Sequence, residues 1–63
     1  MLSERIKQHR TDRSLTQEQF AVRARVTYAT LIKLESGANT NPTLKTLRKL
    51  ARALNIPITK LIT

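Results

Sequence analysis

The sequence predicts an all-α fold, a compact bundle of five short helices. Three observations predict it. Leu44, Leu47, Leu50, Ala51 and Leu54 recur at helical spacing, the strongest periodic signal in the chain. A Thr-x-x-Gln capping box at Thr16–Gln19 opens a second helical stretch. No stretch alternates apolar and polar residues as a strand would. The 63 residues form one domain, 1–63, with no repeat and no low-complexity tail. Helices this short do not persist alone in water, so packing must hold them.

Taken in order, Ser3 can cap the first helix, with Glu4 in its first turn. Leu2 and Ile6 anchor it, and Arg10 follows on the same face. An arginine on the core side needs a partner or must snorkel to solvent. Glu35, the one acid in the second half of the chain, is the expected partner. Asp12, Arg13 and Ser14 end this helix without Gly or Pro. His9 has no second histidine or cysteine near it in sequence and suggests no metal. Leu15 then precedes the Thr16 cap and can staple onto Phe20. The second helix runs about Gln17 to Ala24, with Phe20, Ala21 and Ala24 on a narrow apolar face. After a break at Arg25-Val26, Thr27 caps a third helix, about Tyr28 to Ser36. Leu31 and Leu34 give its core side, and Gly37 stops it. Two helices joined by about four residues make a helix-turn-helix unit. Ala38 to Thr43 is a loop. Pro42 bars the preceding residue from helix, and Thr43 caps the fourth helix. Lys45, Arg48, Lys49 and Arg52 lie opposite its leucines, so this helix is amphipathic and basic. Asn55 is a left-handed terminator. Ile56, Pro57 and Ile58 form a link, and Thr59 caps a last turn, Lys60 to Ile62, which brings Leu61 to the core.

Charge and composition narrow the function. Twelve Lys and Arg against four acids give a net charge of +8, which favours an anionic partner, nucleic acid before membrane. There is no cysteine, hence no disulfide and no thiolate metal site. No apolar run is long enough for a signal peptide or a span, so the cytoplasm is expected and a membrane partner is not. Four acids and one histidine offer no acid/base pair or nucleophile, so an enzyme is not expected, nor any cofactor or metal. Paired aromatics that stack unpaired RNA bases are missing.

Nearly the whole chain resembles the lambda-repressor-like, Cro/phage-repressor (XRE-type) helix-turn-helix family. The matching residues are Ile6…Arg10, then Leu15 to Ala21 (LTQEQFA), Val26 and Thr27. Leu31…Leu34-Glu35…Gly37 and Pro42 follow, then Leu44…Leu47…Leu50-Ala51…Leu54 and Ile56…Leu61. The resemblance implies a compact five-helix bundle containing a helix-turn-helix. It also implies an Arg10–Glu35 ion pair and a transcriptional regulator, a repressor, that binds double-stranded DNA with residues 28–36 in the major groove. Three departures stand out. Arg25 occupies a turn position usually held by Gly, Ser14 and Asn55 stand where Gly is common, and the loop after the third helix carries no charge.

The free face of the third helix carries Tyr28, Ala29, Thr30, Ile32 and Lys33. Tyr28, Ala29, Thr30 and Lys33 are the expected base contacts: Ala29 suits a thymine methyl and Lys33 suits guanine O6 or N7. Tyr28 could instead lie on the surface, and Ile32 could pack against a loop. Gln17 is implied as a phosphate anchor at a helix N-terminus, with Arg10, Thr16, Thr27 and Arg25 as further phosphate contacts. Asn39, Thr40, Asn41 and Thr43 would supply neutral hydrogen bonds from the loop, and Lys45 the first contact of the fourth helix. The family binds pseudo-palindromic operators as homodimers. Pro57, Ile58 and Ile62 are the expected dimer patch, small enough that the dimer would be weak in solution. A further C-terminal domain often accompanies this one and is absent from these residues. The alternative is a protein-interaction module, such as an antitoxin or coactivator bridge, using the basic face of the fourth helix.

Overall fold

The computed structural model describes residues 1–62. Among them are five α-helices and no strand: α1 Leu2–Asp12, α2 Gln17–Ala24, α3 Tyr28–Ser36, α4 Leu44–Leu54 and α5 Thr59–Ile62. α1 packs against α3, α4 and α5, and α2 packs against α3 and α4. The core is Ile6, Leu15, Phe20, Ala21, Ala24, Leu31, Leu34, Leu50, Ala51, Leu54 and Leu61. Phe20 is its largest side chain and is wholly buried. Ala21 and Ala24 keep the α2 face low, which suits close packing with α3 and α4.

Three helices end in the same way. Ser14 (φ 55), Arg25 (φ 58) and Asn55 (φ 57) adopt the left-handed conformation without being glycine. Each is followed by an apolar residue whose amide N–H reaches back over the last turn: Leu15 to the Arg10 carbonyl, Val26 to Ala21 and Ile56 to Ala51. This is the Schellman arrangement. Leu15 is a core residue, and Val26 and Ile56 pack against the core. Burial of that next side chain offsets a backbone cost of about 1–2 kcal/mol at each left-handed residue. Gly37 (φ 84) ends α3 and needs no such compensation.

Several details differ from the sequence reading. Ser3 does not cap α1. Met1 holds that position without a side-chain hydrogen bond, and the Arg5 N–H bonds the Met1 carbonyl. Starting at Leu2 lets Leu2 pack against the core one turn before Ile6. Thr59 is the first residue of α5 rather than its cap. Leu44 is 53% exposed although it fits the leucine repeat. At 100° per residue it lies about 70° from the centre of the stripe made by Leu47, Leu50, Ala51 and Leu54, too far round to reach the core. Ile58, expected in an outward dimer patch, is half-buried against the core, while Pro57 and Ile62 are exposed.

Candidate nucleic-acid interface

The α2–turn–α3 unit is fixed by its caps. The Thr16 hydroxyl accepts from the Gln19 N–H at 3.1 Å, and the Gln19 amide oxygen accepts from the Thr16 N–H at 2.9 Å. α2 ends at Arg25, and Thr27 restarts the chain as α3 by accepting from the Thr30 N–H at 3.1 Å. Each cap satisfies a donor that the first turn of a helix leaves without a partner.

A polar clamp then sets α3 against its neighbours. Arg10 Nε donates to Glu35 Oε2 at 2.8 Å and Arg10 Nη2 to Glu35 Oε1 at 3.0 Å. The third Arg10 nitrogen, Nη1, donates to the Leu15 carbonyl at 2.8 Å. Gln17 Nε2 donates to Glu35 Oε1 at 3.0 Å. The Glu35 carboxylate, its side chain 2% exposed, thus joins α1, the start of α2 and α3. Among the described residues no buried side-chain nitrogen or oxygen lacks a hydrogen-bond partner. A carboxylate buried this way orients strongly because each oxygen has its donor.

The clamp decides which face of α3 is free. Leu31, Leu34 and Glu35 are buried. Ala29 and Lys33 lie diametrically outward, with Tyr28 beside them and 49% exposed. Thr30 is half-buried on the other flank, and its hydroxyl meets that of Thr27 at 2.7 Å. Ile32 is half-buried too. The outward line is thus Ala29 and Lys33, with Tyr28 exposed on one flank at the start of α3 and Thr30 turned toward its own cap. Ser36 continues the outward line and was missed in the sequence. Its hydroxyl bonds the Lys33 carbonyl and accepts from the Ala38 N–H, so it serves the end of α3.

The expected phosphate contacts fall into separate groups. Thr16 and Gln17 sit at the start of α2, where helix N–H groups and the dipole favour an anion. Thr16 is exposed; Gln17 is half-buried, with one amide N–H turned to Glu35. Arg10 is the least available, with three of its nitrogens engaged and its side chain 13% exposed. Arg25 lies at the opposite end of α2, about 12 Å away by helix rise. There it shares a groove with Arg23, Lys49 and Arg52. Asn39 folds its side chain onto the Asn41 N–H at 3.0 Å, leaving Thr40 and Asn41 exposed. The Thr43 hydroxyl caps α4 at Thr46, and Lys45 is exposed beside it. Arg5 lines the same groove as Thr40 and Asn41 and brings a cation to a loop that has none of its own. No signal near the loop marks it, because it comes from α1.

Among the described residues no group of His, Asp and Glu could hold a metal ion, and no helix is long and apolar enough to cross a membrane.

A family model described as helix-turn-helix matches residues 6–61. None of the curated proteins matches the chain by sequence. Among solved structures, the chain is similar to SinR, a master regulator for biofilm formation, in complex with DNA. The identity is 28%, all of both chains is covered and the TM-score is 0.97. It is also similar to the N-terminal DNA-binding domain of SinR from Bacillus subtilis, at 28% identity over 100% of this chain and 91% of that one, TM-score 0.96. A third likeness is to a chain of the SinR–SinI protein complex, at 29% identity and TM-score 0.94. That match takes in 98% of this chain and 60% of the other.

Proposed function

The chain belongs to the helix-turn-helix family whose model spans residues 6–61, in its Cro/phage-repressor branch, and from that membership we infer that it is a sequence-specific DNA-binding transcriptional regulator, a repressor. The family is a DNA-binding one and not catalytic. The observation that carries the reading is the exposed set Tyr28, Ala29 and Lys33 on a helix clamped through Glu35. Likeness to a regulator solved with DNA supports it.

α3 enters the major groove from its Thr27 end. Tyr28 and Ala29 meet base edges first, Lys33 donates to guanine O6 or N7, and Ala29 touches a thymine methyl. Thr30 contributes through its methyl or by donating its hydroxyl proton, since its Oγ1 accepts from Thr27. Thr16, Gln17 and the first N–H groups of α2 hold one phosphate, while Thr40, Asn41, Lys45 and Arg5 hold the strand on the other side. These contacts set register, and α3 sets sequence.

Two copies bind a pseudo-palindromic operator. Met1, Pro57 and Ile62 are exposed, and Met1 and Ile62 border one groove with Leu2, Pro42 and Leu47. The exposed apolar Met1, Pro57 and Ile62, on the side of that groove away from Arg5, Thr40 and Asn41, are the contact between copies, too small to hold a tight dimer without DNA. The setting is the cytoplasm of a bacterial-type cell, which the likeness to a Bacillus subtilis regulator supports.

Selection of bound duplexes from a random pool tests the reading. A palindromic winner is expected. Lys33→Ala should weaken the winner by about 10-fold or more and relax one guanine position. Equal weakening on the winner and on a scrambled duplex would contradict base reading by α3.

A further inference from the structure

α4 carries Lys45, Arg48, Lys49 and Arg52 and no acid. At 100° per residue they centre about 160° from the buried stripe, so all four point outward. Lys45–Arg48, Lys45–Lys49, Arg48–Arg52 and Lys49–Arg52 are i,i+3 or i,i+4 neighbours, and every such pair repels. Lys45 also stands in the first turn, where the helix dipole disfavours a cation. Among the described residues none of the four pairs with a carboxylate. The fold extends the stripe. Arg23 and Arg25, from the end of α2, face Lys49 and Arg52 across a groove of about 470 Å³ floored by Ala24 and Ala53. The four α4 cations border a second groove of about 420 Å³ together with Leu44. Leu44 is 53% exposed at its edge.

Six cations therefore surround two grooves whose lining holds no acid and includes an exposed leucine. A phosphate backbone would meet the cations but gain nothing from Leu44 or the alanine floor. An acidic helix with apolar residues on one side matches both. Its carboxylates relieve the repulsion along α4, and a large apolar side chain covers Leu44. We propose that the face formed by α4 and the end of α2 is the docking surface for an acidic, amphipathic segment of a partner protein. This goes beyond DNA reading by α3 and does not depend on it.

The test uses the whole chain and a fluorescent, acidic, amphipathic peptide of about 15 residues, long enough to form helix, with Glu on one side and Leu on the other. Two companion peptides replace every Glu by Gln or every Leu by Ser. Anisotropy should show binding of the acidic peptide alone. The double variant Arg48→Glu/Arg52→Glu should weaken it by about 30-fold or more. Leu44→Ser should weaken it by about 5-fold, and Lys60→Glu, off the surface, by less than about 2-fold. Thermal melting checks that the variants, all at exposed positions, stay folded. A duplex selected for binding, which shares only Lys45 with this face, should leave the peptide bound. Three results would each overturn the proposal: no preference for the acidic peptide over its Gln form, equal binding of the Leu→Ser peptide, or displacement by duplex with equal loss of duplex binding in the double variant.

Discussion

The outward face of α3 offers a ring, a methyl and one ammonium from Tyr28, Ala29 and Lys33, whereas that of α4 offers four cations. The supports differ as well. α3 is capped by Thr27, closed by Gly37 and clamped through Glu35 to two other helices. α4 is capped by Thr43 and receives Arg13, whose Nε donates to the Leu54 carbonyl at 3.0 Å. Reading a sequence of bases needs few, chemically different groups at fixed positions. Attraction needs only charge, which tolerates loose geometry and fades with salt. The fold places groups suited to the first task on α3 and charge without fixed partners on α4.

The largest expected effect comes from breaking the support of α3. Glu35→Ala leaves Arg10 unpaired and Gln17 without its acceptor, so unfolding in urea should show a loss of about 3–5 kcal/mol. A loss below about 1 kcal/mol, the worth of an exposed pair, would mean that the clamp is ornamental. Next is Lys33→Ala, which should cost about 1–3 kcal/mol on the selected duplex and far less on a scrambled one. Gel-shift titration of both duplexes measures the difference.

Arg25→Gly sharpens the comparison at the turn that feeds α3. Glycine relieves the left-handed backbone at φ 58. A gain of about 1 kcal/mol is expected, raising Tm by about 4–8 °C. An unchanged or lower Tm would show that the arginine side chain stabilises the turn. The smallest effect falls on α4. Arg48→Glu turns repulsive neighbours attractive and should stabilise the fold by about 0.5 kcal/mol. It should leave the preference for the selected duplex unchanged and alter the salt slope by less than about one. A lost preference would place α4 among the base readers.

How much of this was legible depended on whether the signal was local. The limits of α2 and α3 follow from Thr16, Gln19, Thr27 and Gly37, each acting within one turn. Of the left-handed ends, Asn55 was readable as an asparagine at a helix end, whereas Ser14 and Arg25 were marked only by standing where the family often has Gly. The Arg10–Glu35 pair, though distant in sequence, was deducible because an arginine on a core face needs an acid and few acids exist. Contacts and shared grooves between residues distant in sequence were not legible. Arg13 on the Leu54 carbonyl, Arg5 beside Thr40, and Arg23 with Lys49 depend on how helices pack, which no spacing encodes. Leu44 and Ile58 misled for the same reason. Periodicity shows which side of an element is apolar, and packing decides how far the core extends along it.

Duplex affinity measured across salt concentrations, for the selected duplex and a scrambled one, tests the division of labour most directly. A preference of about 10³-fold or more for the selected duplex is expected, persisting as salt rises, with parallel salt slopes that reflect the shared phosphate contacts. Equal affinity for both duplexes, with only the steep salt slope in common, would contradict it and leave the +8 charge as the whole basis of binding.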